Sequence, residues 1–273
     1  QSRKALLYFG ARGVTGAELT VYGPSRALHS GHYGNWAPNP NVTLVHLLAS
    51  MRDTAGRILI EGYADDVIPV TAVERAARAR APRFDDEIRR ELSLGRTEGD
   101  ATLNEEILKP ALNIRGISGG HVGERASNSI PTEASASFDL RLVPSQSPER
   151  VQALIERHVA RQGFHIVRET PDAATRGRHP RIAKIVWGHG YPAARTPMDL
   201  PIAKKVIEVA TLASGSEPVL LPSLGGSIPM YLFQRGGRIP VIGVPIVNHD
   251  NNQHAADENV RLENLWQGIE LFA

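Results

Sequence analysis

Cysteine is absent from all 273 residues. That excludes disulfides, thiolate metal sites and cysteine nucleophiles, so any bound metal has to use His, Asp and Glu. A surplus of charge is missing as well. The 31 basic and 29 acidic side chains leave a formal charge of +2, a balance that argues against a nucleic-acid partner. Arg75, Arg78, Arg80 and Arg83 sit among acidic residues and read as a solvated helix face. No apolar run approaches the ~20 residues of a membrane span, so no membrane partner is expected. No secretory signal is visible in the residues leading into the strand-like run Ala5 to Phe9. With the lack of cysteine, this gives a cytoplasmic expectation. There is no internal repeat and no low-complexity tract. The chain starts at Gln1 without a methionine, and a processed or truncated polypeptide is expected from that start.

What is present is an ordinary globular composition, 41% hydrophobic and 22% charged, long enough for one large or two smaller domains. Glu18 to Tyr22 alternates in polarity and reads as a strand. Asn39-Pro40 suits an N-cap and first turn, opening a helix with Leu44, Leu47, Leu48 and Met51 on one face. Thr71 and Glu74 have capping-box spacing. Residues 57 to 110 otherwise read as irregular, with short helical pieces.

Thr132 to Leu142 is the clearest strand. Ala134, Ala136, Phe138, Leu140 and Leu142 share one face; Ser135, Ser137, Asp139 and Arg141 share the other. Ser147-Pro148 then starts a helix carrying Val151, Leu154, Ile155 and Val159. Phe164 to Val167 is a further strand. This alternation predicts a two-layer α/β unit from Gly16 to about Glu169. Residues 172 to 181 read as a linker. Beyond them a helix is expected over Asp199 to Ala213 and a short strand at Val219 to Leu221. The apolar run Ile239 to Val247 reads as a strand covered on both faces in a more parallel sheet.

Four stretches carry chemistry-bearing residues. Asn248 to Asn259 is a dense polar run after a buried strand, with His254 as a candidate metal ligand; a plain surface loop is the alternative. Gly225-Gly226-Ser227-Ile228-Pro229 permits close ligand approach and suits a carboxylate or phosphate at a helix start, or it is simply a tight turn. In His29-Ser30-Gly31-His32-Tyr33-Gly34 the glycines make a mobile or tightly turned loop that can present an imidazole, or His29 is a packed or surface histidine. Arg141, on the polar face of a strong strand, can hold a carboxylate, or it forms a structural ion pair with Asp139. Asn128 lies just ahead of that strand.

Taken in order, these stretches resemble the co-catalytic two-zinc metallopeptidases that include carnosine dipeptidases, aminoacylases, glutamate carboxypeptidases and succinyl-diaminopimelate desuccinylases. The resemblance rests on Leu28-His29-Ser30-Gly31 leading into Pro38-Asn39-Pro40, Asn128-Ser129-Ile130-Pro131, Arg141-Leu142-Val143-Pro144, Gly225-Gly226-Ser227-Ile228-Pro229, and His254 with Glu258. The long insertion after the first helix is most similar to the dipeptidase branch.

The resemblance implies an α/β fold: part of a zinc-exopeptidase-type catalytic domain carrying an inserted two-layer α/β lid, or dimerisation, domain. The lid would span residues 16–169, flanked by catalytic-domain portions at 1–15 and 170–273. His254 would be the last zinc ligand. His29 would reach the active site of a homodimeric partner and stabilise an oxyanion, with Asn128 pointing at the same carbonyl. Arg141, Gly226 and Ser227 would hold the substrate's carboxylate. The implied activity is metal-dependent hydrolysis of a dipeptide or an N-acyl amino acid with two divalent ions, zinc by family, though manganese and cobalt suit similar donors. Two departures stand out. Ala256 and Asp257 replace the usual Pro and Asn before the final Glu. The family's other zinc ligands and its general base precede the segment that Ala5 to Gly13 resembles, and none is present. The alternative is a non-catalytic dimerisation or ligand-binding module of the same descent.

Overall fold

The computed structural model describes residues 4–237, 239–248 and 250–273. The chain enters through β1 (Leu6–Tyr8) and β2 (Gly10–Ala11) and continues into the long β3 (Gly13–Tyr22). A short β4 (Leu28–His29) and the single turn α1 (Ser30–Tyr33) lead to α2 (Pro40–Met51). Asn39 caps α2 by accepting from the Asn41 amide at 3.0 Å, with Pro40 in the first turn. The 57–110 segment carries α3 (Ala72–Arg80), α4 (Asp85–Glu91) and α5 (Leu103–Glu106). Next come β5 (Ala111–Ser118), β6 (Ser129–Ile130), β7 (Glu133–Leu142), α6 (Pro148–Arg161) and β8 (His165–Val167). The chain then forms α7 (Ala173–Arg178), β9 (Ile182–Trp187), β10 (Ala194–Arg195), α8 (Pro201–Ser214), β11 (Val219–Leu221), α9 (Tyr231–Gly237) and α10 (Leu262–Phe272).

One five-stranded sheet, in the order β5-β7-β3-β9-β8, organises the first unit. β7 alternates as its sequence requires, burying Ala134, Ala136, Phe138, Leu140 and Leu142. The apolar faces of α2 and α6 close over that side: Leu44, Leu47, Met51, Val151, Leu154 and Val159 join the same core. The opposite face is polar and laced by Thr20, Ser135, Ser137, Glu18 and Arg115. Helices on one side and a hydrogen-bonded polar side on the other make the two-layer architecture.

The expected boundary at residue 169 falls inside this sheet. β9 pairs antiparallel with β3 from Ala17↔Trp187 to Tyr22↔Ile182, so strand pairing carries the unit to Trp187. The expected linker 172–181 contains α7, whose first turn is capped by Asp172 accepting from the Thr175 amide at 2.7 Å.

The second unit is built on β1, which pairs in parallel with β11, and on β2, antiparallel to β10. Leu7 and Phe9 are fully buried among Met198, Ala203, Ala210 and Leu220. The expected strand over Ile239 to Val247 does not form. Its one bridge among the described residues joins Gly243 to Tyr8 through two backbone hydrogen bonds of 3.0 and 2.8 Å. A covered strand needs ladder partners on both edges and packing on both faces. Ile239 and Val247 instead stand exposed, and the only described parallel strand pairings are β1 with β11 and β8 with β9.

The chain crosses between the units twice, side by side. Val14 and Tyr191 exchange backbone hydrogen bonds of 3.0 and 2.9 Å. A Cβ at Gly13 would lie 2.5 Å from Tyr191 O and Ala193 N, so only glycine permits this approach. A second tie comes from α3, whose Ala77 packs into the core of the second unit. Glu74 closes the α3 capping box with Thr71 and also meets Arg195 Nε at 3.1 Å, with a side chain only 2% exposed. Replacing Glu74 by Gln leaves the Arg195 charge buried without its counter-ion, and a loss of about 3 kcal/mol is expected. Urea unfolding of E74Q checks this; a loss under about 1 kcal/mol would contradict it.

Candidate functional site

His29 stands at the end of β4, which pairs with β6 so that Leu28 faces Ile130 and His29 faces Ser129. The Ser30 amide donates to Asn128 O at 2.9 Å. His29 and Asn128 are thereby brought into one exposed corner of the first unit. His29 Nδ1 accepts from the Gly31 amide at 3.1 Å. The ring proton of the neutral imidazole therefore sits on Nε2, a donor facing away from the turn. A Cβ at Gly31 would lie 3.0 Å from His29 Cε1, so a larger residue there would have to shift the His29 ring slightly. The His32 ring lies 4.6 Å from that of His29.

Arg141 projects from the polar face of β7. Its Nε donates to Asp139 Oδ2 at 2.8 Å and its Nη1 donates to Ser227 Oγ at 2.8 Å. The Ser227 hydroxyl donates onward to Gly13 O at 3.3 Å. The Ser227 loop is itself held by the crossing strands: the Arg12 amide donates to Gly226 O at 3.2 Å, and the Leu224 amide to Gly10 O at 2.8 Å. The structure thus joins Arg141 of the first unit to Ser227 of the second, in a loop whose Gly226 is bonded to Arg12. The ion pair with Asp139 coexists with that junction and does not replace it. One local expectation changes. α9 begins at Tyr231, so the Ser227 hydroxyl serves Arg141 and Gly13 and does not sit at a helix start.

His254 is exposed, in the loop that follows Asn248. His249, named in the polar run, lies outside the described residues. Asn248 is the post of this loop, buried to 5% exposure. Its Nδ2 donates to Asp250 Oδ1 at 2.9 Å and Asn259 Oδ1 at 3.0 Å, and its Oδ1 accepts from the Arg261 amide at 3.0 Å. The Asn259 amide donates to Asn251 O at 2.9 Å, closing the loop. Arg261 also pairs with Asp250. Between these ties, Asn252, His254 and Asp257 take positive φ values of 52°, 65° and 59°. Side-chain-bearing residues adopt that conformation at a cost, met here by the surrounding hydrogen bonds. Among the described residues, no hydrogen bond or ion pair links His254 to Arg141, Ser227 or His29. Among the described residues, no cluster of three or more His, Asp or Glu forms a metal cage.

Two functional neighbours escape sequence reasoning. Asn248 is part of the polar run but has no distinguishing pattern; its burial singles it out. Arg12 lies between Ala11 and Gly13 with nothing in the sequence to separate it from a surface arginine. It is 8% exposed, its Nη2 donates to Lys109 O at 2.8 Å, and its Nε has no hydrogen-bond partner. Burial first, then the nearby Arg141 charge, lowers its pKa to about 10, against a smaller opposing pull from Asp139. It stays charged at neutral pH.

Comparison with known proteins matches residues 9–166 to the peptidase dimerisation domain of M20 peptidases. Over 275 residues the chain is 27% identical to the Cys-Gly metallodipeptidase of Schizosaccharomyces pombe, covering 99% of this chain and 55% of that protein. It is 28% identical to the human Beta-Ala-His dipeptidase, covering 99% of this chain and 52% of that protein. The fold superposes on an M20 family metallo-carboxypeptidase from Sulfolobus solfataricus with a TM-score of 0.82 at 25% identity, covering 98% of this chain and 58% of that one. It superposes on the dipeptidase Dug1p of Saccharomyces cerevisiae with a TM-score of 0.78 at 24% identity, covering 99% and 55%. The chain spans about half the length of the curated relatives it matches.

The bonding around Asn248 sets a direct expectation. Asn248→Ala removes one acceptor and two donated bonds from a buried post, a cost of ~1–3 kcal/mol. Amide hydrogen exchange over residues 250–261 should accelerate by about tenfold or more while the β3–β7 ladder stays protected. Unchanged exchange in this loop would show that Asn248 does not hold it.

Proposed function

The chain belongs to the M20 peptidase dimerisation-domain family, and from that membership we propose that it is the lid-bearing portion of a metal-dependent dipeptidase-type hydrolase. The reaction is hydrolysis of the amide bond of a dipeptide or an N-acyl amino acid. The observation that carries this reading is the contact of Arg141 with Ser227, which sets a strand-mounted guanidinium against a hydroxyl of the glycine-flanked loop at the junction of the two units. That grouping suits a carboxylate next to a scissile amide.

The proposed roles follow from local geometry. Arg141, Ser227 and Gly226 hold the substrate carboxylate. His29, with its proton on Nε2, donates to the oxyanion that develops on the attacked carbonyl, assisted by Asn128. His29 does this from the partner subunit of a homodimer formed through the lid. The lid edge supports that assembly: β5 is an outer strand whose last residues, Ile117 among them, are exposed. We take the lid as residues 16 to about 187, extended from 169 by the pairing of β9, with 1–15 and the remaining C-terminal residues as catalytic-domain portions.

Two divalent ions, zinc by kinship, are part of this proposal, with His254 as one ligand. The described residues do not make a metal site by themselves. The remaining ligands and the general base belong to a catalytic-domain segment outside this chain. Exposed apolar side chains in the second unit, including Leu212 on α8 and Trp266 and Phe272 on α10, fit a surface made to be covered by such a segment. The second reading, a non-catalytic dimerisation or ligand-binding module of the same descent, draws on the match of residues 9–166 to a dimerisation domain.

Protein carrying this chain, assayed on Cys-Gly, β-Ala-His and N-acyl amino acids after metal replacement, separates the two. Metal-dependent hydrolysis is expected. His254→Ala should lower bound metal, and His29→Ala should reduce kcat by ~10²–10³ as for a lost oxyanion donor. A protein that binds no metal and cleaves none of these supports the module instead.

A further inference from the structure

Arg141 alone makes an incomplete carboxylate anchor. Its Nε is held by Asp139 at 2.8 Å, and the two side chains share the polar face of β7 two residues apart. As an isolated pair they would be neutral, with little reach for a second carboxylate. The charge that breaks the neutrality is Arg12. Its amide is bonded to Gly226 O, next to the Ser227 that Arg141 holds, and it lies two residues before Val14, the register partner of Arg141. From there its guanidinium is close enough to feel the charges of Arg141 and Asp139 and the buried Tyr63 hydroxyl. Two guanidiniums and one carboxylate therefore share this region, a net charge of +1, with Arg12 itself buried and Arg141 and Asp139 partly so. Such an excess is costly unless an anion completes it. The buried Arg12 Nε and Tyr63 hydroxyl, both without hydrogen-bond partners, belong to the same unfinished cluster.

We propose that Arg12 is a specificity-determining positioning residue: it acts from behind Arg141 and Asp139, without touching substrate, to keep this site cationic and selective for a ligand bearing a free carboxylate. Its position explains why it can do so. The Arg12 amide is bonded to Gly226 O and its Nη2 to Lys109 O, one residue before the strand-leading Pro110 and two before Ala111, which pairs with Arg141. The residue is fixed from both units and cannot swing out to pair with solvent. This inference rests on the proposed carboxylate role of Arg141, and the test separates the two.

The probes are N-acetylglycine and its amide, N-acetylglycinamide, titrated into metal-free protein and followed by NMR chemical-shift changes. The readout is the ratio of the two affinities. Wild type should favour the carboxylate. Arg12→Met should reduce that ratio by about tenfold or more, the scale of one net charge at close range in a partly buried site. Arg12→Lys should retain it. The decisive variant is the double one. Arg12→Met with Asp139→Asn returns the cluster to +1 and should restore the ratio to within about threefold of wild type, which a purely structural role for Arg12 would not allow. Asp139→Asn alone raises the cluster to +2 and should increase the ratio, a measurement that stands even where Arg12→Met does not fold. An unchanged ratio in Arg12→Met or in Asp139→Asn, or a double variant as weak as the single, overturns the inference. If Arg141→Met abolishes the preference while Arg12→Met leaves it intact, the inference falls and the carboxylate reading of Arg141 survives. If wild type shows no preference, both fall.

Discussion

The close passage of two strands at Gly13 is the constraint from which the rest of the structure follows. Here the chain leaves the second unit for β3 and returns from β9, and the two crossings are bonded to each other through Val14 and Tyr191. A side chain at position 13 would push them apart. Because they stay together, the end of β7 lies over the Gly225-Gly226-Ser227 loop, and a guanidinium from one unit meets a hydroxyl from the other. The relation of lid to second unit is thus set by backbone contact, and the site inherits its geometry from that contact.

The three groups of candidate residues are supported in different ways. Arg141 rides on a central ladder whose alternate residues are buried, so its direction is fixed by the sheet. His29 depends on a one-turn cap and a two-residue strand pairing, a lighter support suited to a residue that has to reach outward. His254 depends on a polar post, Asn248, and on a loop that accepts three left-handed residues. The stiffness of each support suits the role proposed for it, whether anchoring a carboxylate, meeting a carbonyl or holding an imidazole in place.

Much of this was legible in the sequence where periodicity is strong. The alternation of β7, the capped helices α2 and α6 and the capping box at Thr71 appear where pattern and cap chemistry put them. The ordered stretches around His29, Asn128, Arg141, Ser227 and His254 led to the family that the comparisons support. Long-range pairing was not legible. β9 is six residues long and follows a polar segment, and its place beside β3 is decided by a partner far away in the chain. Ile239 to Val247 has the composition of a covered strand, but a ladder requires neighbours, and composition does not state whether they are present. Arg12 stayed hidden for a related reason: its importance lies in burial and in the charges around it, neither of which a single residue in a short glycine-flanked run reveals.

The sheet order also has a consequence for how the chain is made. β3, the central strand of the five, is synthesised before the other four, yet its neighbours are β7 and β9, which follow far behind it. At roughly 5–20 residues per second, β3 waits on the order of ten seconds before both of its edges can be filled. Until β7 emerges, Leu19 and Val21, fully buried in the finished core, have no sheet to bury them. The first unit is therefore a high-contact-order element whose nucleus is assembled late, and its folding is slow compared with that of the helices that come to cover it.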